Sequence, residues 1–388
     1  MSVSYWQDQS SSKTKSCDVA IVGGGITGYS IAYWLKKEDP SLNVLILDKG
    51  EMGSGATSRN AGFITCGSVE HFNRLCQRWG KERALEIWRF SETNLALLKE
   101  HVIKEAHDEL EFDDRGTFSL ASTVEEFREL CATAELMRSC DVAVEVLQEA
   151  DIARRVGARN FVGGIKYLKD ASINPVKLLK KLAMRTDATI LANTEVYDIE
   201  TTSSGATRLK TQQFDVDATI AVLALNGYSA ALRPFFRDKI YPTRGQIMVT
   251  EPVAKFMEGP CYANFVLDYF RQLQDGRVLI GGFRQLEKAT EVGYSDHITD
   301  TIQEALYQFL QKHMPMLENR KVTHRWAGVM GFSADGQPLV GSLPDEPTVY
   351  FVGGYTGHGL GLAFHSAKVL VDLINGREIP SFLSARRF

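Results

Sequence analysis

The sequence has few cysteines, and none are spaced to bind a metal. No two are separated by the two residues that zinc and dithiol motifs require, and the polar first 16 residues hold no apolar signal core. We therefore expect reduced thiols, no metal and a cytoplasmic protein. The six cysteines are Cys17, Cys66, Cys76, Cys131, Cys140 and Cys261.

The chain also lacks a membrane-spanning run and an excess of charge of one sign. The uncharged stretch Val19–Leu35 is shorter than the roughly 20 residues needed to cross a bilayer and contains four glycines. The net charge of -4 over 388 residues gives no basic face, which argues against a nucleic-acid partner. With 44% hydrophobic and 24% charged residues, the composition is that of a globular protein.

A glycine fingerprint is the strongest feature that is present. A short apolar run, Val19–Val22, leads into Gly23, Gly25 and Gly28, and a helical pattern follows before a second apolar run ends at Asp48. In a dinucleotide-binding unit, the first glycine makes the turn, the second admits the pyrophosphate and the third lets helix and strand pack closely. The acid at the end of the second strand accepts hydrogen bonds from ribose. The pattern therefore predicts a bound dinucleotide.

Two further glycine-rich segments carry chemistry. The first, Gly53–Gly62, contains small hydroxyl residues whose backbone N–H groups can converge on an anion, and Arg59 can add a charged contact. The second, Gly353–Gly361, follows an apolar strand and opens a helix whose N-terminus can stabilise negative charge on a flavin ring. His358 either adds to that effect or simply caps the helix. A flavin would lie between these segments.

Hydrophobic periodicity predicts the main elements. No repeat, low-complexity tract or linker separates them, so the domains must be interleaved. The expected strands are Val19–Val22, Thr117–Ala121, Ala218–Ala224 and Thr348–Gly354, the expected helices are Trp79–Ala106, Val124–Arg138, Pro175–Met184 and Thr299–His313, and Val266–Arg271 with Arg277–Gly282 form a hairpin.

Seven ordered motifs make the chain resemble the FAD-dependent D-amino-acid oxidase, glycine oxidase and sarcosine oxidase superfamily. The shorter strings Val266–Arg271, Leu225–Tyr228 and Ser4–Trp6 are most similar to its gamma-glutamylputrescine oxidase branch. The seven motifs are Gly23–Gly28 with Asp48, Ser54–Gly62, Asn174–Leu178, Val222–Ser229, Pro242–Gln246, Trp326–Gly341 and Gly354–Ala363.

The resemblance implies an α/β fold, with a Rossmann-like FAD-binding domain of the glutathione-reductase type and an interleaved α+β substrate-binding domain. We expect the FAD-binding domain to comprise residues 1–88, 148–228 and 320–388, and the substrate-binding domain residues 89–147 and 229–319. The expected cofactor-binding residues are Gly23, Gly25, Ile26, Thr27, Gly28, Asp48, Lys49, Ser54, Gly55, Ala56, Thr57, Ser58, Arg59, Asn60, Ala61, Gly62, Val196, Gly227, Thr356, Gly357, His358, Gly359 and Leu360.

Two departures from the family pattern bear on function. In glycine and D-amino-acid oxidases an arginine binds the substrate carboxylate, and Met330 stands at that position here. A simple α-amino acid is therefore less expected than an amine with an alkyl or peptide-like arm, although Arg271 or Arg244 could bind a carboxylate from another direction. Val329 replaces the cysteine that tethers flavin in monomeric sarcosine oxidases, so we expect noncovalent FAD.

The resemblance implies oxidation of a C–N bond in a primary or secondary amine. The flavin takes a hydride from the carbon beside nitrogen, the imine hydrolyses, and oxygen or another acceptor reoxidises the flavin. Alternatives are a dehydrogenase that passes electrons to a quinone or a partner protein, and a non-catalytic flavin-binding subunit of a hetero-oligomer. No dedicated catalytic side chain is expected. The candidates for the substrate pocket are Asn60, Tyr241, Tyr269, Arg271, Met330 and Tyr355.

Overall fold

A computed structural model describes residues 5–6, 14–65, 69–203, 205–264 and 267–388, without the side chains of residues 69–71. Cys66, Ser4 and Val266, on which three of the expectations depend, lie outside these ranges. The five described cysteines are free thiols. Within the described ranges no helix is long and apolar enough to cross a membrane, and no group of three metal-binding side chains is found.

The strands of the described residues are, in chain order, β1 (Thr14–Val22), β2 (Val44–Leu47), β3 (Phe63–Ile64), β4 (Thr117–Ala121), β5 (Val144–Gln148), β6 (Gly163–Tyr167), β7 (Ala171–Ser172), β8 (Thr189–Leu191), β9 (Val196–Thr201), β10 (Thr207–Thr211), β11 (Asp215–Leu223), β12 (Ile240–Thr250), β13 (Cys261–Ala263), β14 (Asp268–Gln272), β15 (Val278–Gly281), β16 (Val322–Ser333), β17 (Leu339–Ser342) and β18 (Val349–Gly353).

The α-helices of the same residues are α1 (Ile26–Glu38), α2 (Val69–Trp79), α3 (Lys81–Leu98), α4 (Val124–Arg138), α5 (Glu149–Val156), α6 (Pro175–Arg185), α7 (Ser229–Leu232), α8 (Asp300–His313) and α9 (Gly359–Ile374). Strand β4 and helix α4 have the bounds expected from the sequence. The helix expected over Trp79–Ala106 begins at Lys81, because Gly80 has a φ of +84°, and it passes into a π-helical turn at Lys99–Ile103.

The chain divides into two compact units, each assembled from several segments. The first unit comprises the described residues up to Ser58, with Val176–Thr243 and Met330–Phe388. The second unit comprises Arg59–Pro175 and Arg244–Val329.

These bounds differ from the expected domains. Residues 59–88, 148–175 and 320–329 join the second unit instead of the FAD-binding domain, and residues 229–243 join the first. Strand pairing accounts for much of the difference. In the second unit β3 pairs with β7, β5 pairs with β6, and β16 lies beside β12. In the first unit, Phe236 packs in the hydrophobic core.

The first unit is built on a sheet with the order β17-β18-β11-β1-β2-β8. Strands β18, β11, β1, β2 and β8 run parallel, whereas β17 is antiparallel to β18. All four residues of β2 are buried, as expected for a parallel strand covered on both faces. Helices α1 and α9 pack together, and the Trp34 indole N–H donates to the Phe364 carbonyl at 3.0 Å. The glycine fingerprint thus opens the helix that follows a central strand.

The second unit is built on a sheet with the order β16-β12-β15-β14-β13-β4-β6-β5. Strands β14 and β15 form the antiparallel hairpin that the Asp275-Gly276 turn predicts. Helix α8 buries Ile302, Leu306 and Leu310 in the unit's largest core, which matches its amphipathic pattern. Tyr269 and Trp326 pack against a separate small hydrophobic cluster, which contains Ala61, Ile247, Val249 and Leu279.

Candidate functional site

The glycine turn after β1 has no room for larger residues. A Cβ on Gly23, whose φ is +115°, would lie 2.6 Å from the Ala224 carbonyl oxygen, and one on Gly28 would lie 1.9 Å from the Gly23 carbonyl oxygen. Both contacts are shorter than van der Waals distance, so α1 begins in direct contact with the turn that precedes it. This is the close packing that the third glycine of the fingerprint provides.

The N-terminus of α1 is arranged for an anion. Gly25 is its N-cap residue and makes no side-chain capping bond, and the first turn of the helix holds no acidic residue. The Ile26 N–H donates to the Thr57 hydroxyl at 3.0 Å, which fixes residues 53–58 beside the helix start. Backbone N–H groups and the helix dipole favour negative charge at such a position. The sequence predicted both the glycine fingerprint and the Gly53–Gly62 segment as cofactor-binding, but it did not indicate that Thr57 contacts the helix start.

Asp48 holds two loops at the end of β2. Its Oδ2 accepts a hydrogen bond from the Gly24 N–H at 2.6 Å, and its Oδ1 accepts one from the Gly50 N–H at 2.8 Å. The next residue, Lys49, places its Nζ 4.0 Å from the centre of the Tyr228 ring. A carboxylate oxygen has capacity for a further donor, so Asp48 can hold these loops and still accept from a ribose.

The start of α9 shows backbone strain. Thr356 has a φ of +50° and Gly357 a φ of +86°, and the left-handed region is costly for a β-branched residue such as threonine. The strained turn is held by hydrogen bonds from the Thr356 N–H to the Gly331 carbonyl at 2.9 Å and from the Ser333 N–H to the Thr356 hydroxyl at 3.2 Å. His358 is the N-cap residue of α9, and its Nδ1 lies 2.9 Å from the Thr356 carbonyl oxygen.

The first and last motifs meet inside the first unit. The Thr27 hydroxyl donates to the Tyr355 phenol oxygen at 3.3 Å, although the two residues are 328 positions apart. Tyr355 is only 4% exposed, and burial raises the pKa of its phenol. The structure therefore gives this pocket candidate a place in the core, where it joins α1 to the turn before α9.

Met330 lies beside the α9 turn. A Cβ on Gly357 would be 3.9 Å from the Met330 Sδ. The backbone of Met330 also packs on Gly227, where a Cβ would lie 2.8 Å from the Met330 carbonyl oxygen. The neighbouring Asn226 side chain accepts from the Gly354 N–H at 2.9 Å. Three predicted positions, Gly227, Met330 and Gly357, are thus in one cluster of the first unit.

The remaining predicted residues divide between the two units. Tyr241 is 45% exposed, and its hydroxyl donates to the Asp238 carbonyl at 2.8 Å, so it lies on the surface. Val196 packs in the hydrophobic core of the first unit. The other predicted cofactor residues of the first unit are Ser54, Gly55, Ala56, Ser58, Gly359 and Leu360, whereas Arg59, Asn60, Ala61 and Gly62 belong to the second.

Arg59 and Asn60 support the backbone of the second unit. The Arg59 Nη1 donates to the Ala327 carbonyl at 2.8 Å and forms an ion pair with Asp296 at 3.1 Å. The Asn60 side-chain oxygen accepts from the Gly62 N–H at 2.7 Å. Contacts of this kind fix the conformation of the loop that carries both residues.

Arg244 and Arg271, the two arginines predicted as possible carboxylate-binding residues, have different surroundings. Arg244 is 1% exposed and pairs with Glu291, which is fully buried, at 2.5 Å. Arg271 is 5% exposed, and its Nη1 donates to the Gly62 and Ile173 carbonyls at 3.2 and 3.3 Å. Among the described residues its Nε has no hydrogen-bond partner. Tyr269, two residues earlier on β14, is half-buried.

The geometry of the first unit suits an anionic dinucleotide. It combines a glycine turn that excludes a Cβ at Gly23 and Gly28, a helix start whose N-cap residue is glycine, a carboxylate at the end of the adjacent strand and a second helix start joined to the first. Residues 18–373 match the DAO family of FAD-dependent oxidoreductases. The chain belongs to that family and is an FAD-dependent oxidoreductase.

Individual relatives cover most of the chain. The chain is 28% identical to the probable oxidoreductase OrdL of Rhizobium meliloti (strain 1021), over 97% of this chain and 89% of that one. It is 24% identical to the gamma-glutamylputrescine oxidoreductase of Escherichia coli (strain K12), over 93% and 84% of the respective chains. The crystal structure of glycine oxidase from Geobacillus kaustophilus has the same fold, with a TM-score of 0.81, 23% identity and coverage of 95% and 96%.

Proposed function

We propose that this chain oxidises a C–N bond of a primary or secondary amine that carries an alkyl or peptide-like arm. The observation that carries the proposal is the cluster of Met330, Gly227 and Gly357, because it puts a thioether beside the strained start of α9. The names of the E. coli relative, a gamma-glutamylputrescine oxidoreductase, and of the glycine oxidases support an amine as substrate.

The chain's own groups have binding and positioning roles in this proposal. The N-terminus of α1 and the loop held by Thr57 bind the phosphates, and Asp48 accepts from the ribose. The N-terminus of α9, with His358, stabilises negative charge. FAD, when bound, accepts the two electrons and the hydrogen that leave the carbon beside nitrogen. The amine nitrogen loses one proton, and water hydrolyses the resulting imine to a carbonyl compound and a free amine.

Met330 contributes surface to this site and cannot donate a charged hydrogen bond. A thioether packs well against apolar and irregular surfaces, whereas a guanidinium would bind a carboxylate through two parallel hydrogen bonds. An amine whose reacting carbon is flanked by methylene groups therefore suits Met330 better than glycine or D-alanine. Rapid oxidation of glycine or D-alanine would contradict this assignment.

Anaerobic reduction of the holoenzyme's flavin tests the proposal. Loss of the visible flavin absorbance should be fast with putrescine-type amines or their gamma-glutamyl adducts, and slow with glycine and D-alanine. Met330→Leu is the matched variant, since it retains an apolar side chain of similar volume and should change the order of substrates little. Met330→Arg should shift the preference towards α-amino acids. Failure of every amine in the panel to bleach the flavin would overturn the proposal.

The same measurement separates the alternatives for the electron acceptor. Hydrogen peroxide formed in air identifies an oxidase, whereas bleaching without oxygen consumption identifies a dehydrogenase that uses a quinone or a partner protein. A flavin that no amine bleaches, in a stable complex with another protein, identifies a non-catalytic subunit. We also propose that the flavin is noncovalent, and acid precipitation should then leave a colourless pellet and a yellow supernatant.

A further inference from the structure

The sheet of the first unit grows in opposite directions on the two sides of β1. Strands β2 and β8 extend it on one side, whereas β11 and β18 extend it on the other. In open parallel sheets, ligands bind at the carboxyl ends of the strands where the strand order reverses in this way. At that edge the Ala224 N–H donates to the Val22 carbonyl at 2.8 Å. The residues that follow β11 therefore run beside the glycine turn that follows β1.

Asn226 connects this edge to the turn that precedes α9. Its φ of +47° lies in the left-handed region, which asparagine tolerates better than most residues. Its side-chain oxygen accepts from the Gly354 N–H at 2.9 Å. A Cβ on Gly353 would lie 3.2 Å from the Asn226 Cα, and one on Gly331 would overlap the Asn226 Oδ1. Glycine backbone on two sides thus holds the Asn226 side chain in place.

The amide nitrogen of Asn226 keeps two donors for a ligand. Because the Gly354 N–H can donate only to the amide oxygen, that bond fixes which way the amide is turned. Among the described residues the side chain makes no other hydrogen bond, so Nδ2 has no partner. The residue is half-buried, and Nδ2 is not among the unpartnered side-chain atoms that are closed off from solvent. It can therefore reach a group bound at the strand ends.

The position of Asn226 matches the flavin half of the cofactor. The phosphates and the ribose are assigned to the turn after β1 and to the end of β2, on the other side of the reversal. Asn226 is bonded instead to the turn that opens α9, whose first turn holds no acidic residue. The N1 and C2 carbonyl edge of a flavin accepts hydrogen bonds and gains negative charge on reduction. A donor fixed beforehand stabilises charge that develops at such an edge.

We propose that Asn226 donates a hydrogen bond from Nδ2 to the flavin half of FAD and thereby favours its reduced, negatively charged form. This inference rests on the cofactor site of the proposed function and deepens it by naming a residue that contacts the flavin. Asn226 is absent from the cofactor-binding residues that the sequence predicted, because its role depends on Gly354, 128 positions later.

The midpoint potential of the bound flavin, measured anaerobically against a reference dye, tests this donor. Asn226→Asp keeps an oxygen for the Gly354 N–H and suits the backbone conformation, but it has no side-chain donor at pH 8. The variant should bind reduced FAD at least about tenfold less tightly relative to oxidised FAD, which lowers the two-electron potential by at least about 30 mV. Asn375→Asp makes the same substitution at the exposed C-cap of α9 and should leave the potential unchanged.

A second variant separates loss of the donor from the added charge. Asn226→Gly adds no charge and adopts the same φ without strain. Its potential should fall by at least about 15 mV, which corresponds to about a threefold change in relative affinity. Its apoprotein should bind ADP within about twofold of the wild type, because the ADP half lies elsewhere. A fall in Asn226→Asp alone would show an effect of charge, and one in Asn226→Gly alone would show a role only in holding the α9 turn. Either result overturns the inference, as does an equal loss of ADP affinity.

The test does not depend on the substrate, because dithionite reduces the flavin in place of an amine. Unchanged potentials in both Asn226 variants overturn the inference and leave amine oxidation standing. If no amine reduces the wild-type flavin, the potentials still decide the role of Asn226. If a variant loses FAD on purification, its apoprotein is titrated with oxidised and with reduced FAD. The ratio of the two dissociation constants reports the same difference as the potential.

Discussion

Arg244 and Arg271 lie on strands that both pair with β15, yet their regions differ in one respect. Arg244 has a countercharge, since Glu291 accepts from it and from Gln246 through Oε1, and the Arg244 N–H donates to the Glu291 carbonyl. The other carboxylate oxygen of Glu291, Oε2, is buried without a hydrogen-bond partner among the described residues. Among the described residues, Arg271 donates to two backbone carbonyls, and its Nε has no hydrogen-bond partner. The comparison shows that burial alone does not tell what holds an arginine in place: a carboxylate holds Arg244, whereas backbone carbonyls hold Arg271.

The largest effect on stability is expected from removing the ion pair between Arg244 and Glu291. Arg244→Met leaves the Glu291 carboxylate buried without a cation, and removing one partner of a buried pair costs about 3–5 kcal/mol. The midpoint of urea unfolding of the holoenzyme at pH 7 should fall accordingly. Activity with every amine that reduces the flavin should fall in equal proportion.

The double variant Arg244→Met with Glu291→Met is the control for this prediction. Replacing both charges with apolar groups should recover most of the loss, because no unpaired charge remains. A double variant as unstable as Arg244→Met would show that the pair acts by packing and not by charge compensation.

An intermediate effect is expected from Asp170, a buried acid without an ion-pair partner among the described residues. Burial raises the pKa of Asp170 to about 7, in spite of the hydrogen bond that the Thr117 hydroxyl donates at 2.6 Å, and the Glu92 charge raises it further. The folded state then holds a proton that the unfolded state loses near pH 4. The free energy of unfolding should therefore fall as pH rises from about 4 to 7, by up to about 1.4 kcal/mol per pH unit.

Asp170→Asn should abolish that slope while retaining an acceptor for Thr117. Glu258 provides the opposite case, since Arg155 and Lys166 lower its pKa to about 2. Its contribution is present above about pH 4.5 and is lost as pH falls towards 2, so Glu258→Gln should flatten the acid limb only. Unfolding midpoints measured from pH 3 to 8 check both variants. An unchanged slope between pH 4 and 7 in Asp170→Asn would refute the assignment.

The smallest effect concerns two tyrosines of the first unit. The Tyr355 hydroxyl accepts from Thr27, whereas the hydroxyl of Tyr29 is buried without a partner among the described residues. Tyr355→Phe should cost about 1 kcal/mol, and Tyr29→Phe should cost nothing or stabilise. Thermal unfolding of the two variants measures the difference, and a greater loss in Tyr29→Phe would reverse the comparison.

The local parts of the fold could be predicted from the sequence because their signals are short-range. The glycine turn, β4, α4 and the β14–β15 hairpin each depend on periodicity or on turn residues within about 30 positions. The periodic pattern predicts that helix α3 runs to Ala106, but it does not distinguish the π-helical turn at Lys99–Ile103 from an α-helical one. The spacing of the apolar residues is compatible with both types of helix.

The site could be predicted only as a set of motifs, because its contacts are long-range. Nothing near Arg244 in the sequence indicates that Glu291, 47 positions later, will neutralise it, so both arginines were equal candidates. The same holds for Tyr355, whose partner Thr27 lies in the first motif. The segments 59–88 and 148–175 belong to the second unit. Local sequence signals do not indicate this either, since β3 pairs with β7 more than 100 positions later.

The hydrogen bond between Thr27 and Tyr355 has a consequence for biosynthesis. The sheet of the first unit needs β11 beside β1 and β18 beside β11. The ribosome must therefore synthesise about nine-tenths of the polypeptide before this sheet can be completed. A nonsense mutation upstream of Gly353 would yield a chain with every N-terminal nucleotide motif and no completed site. With the cofactor site proposed above, fragments expressed separately should for the same reason fail to retain flavin.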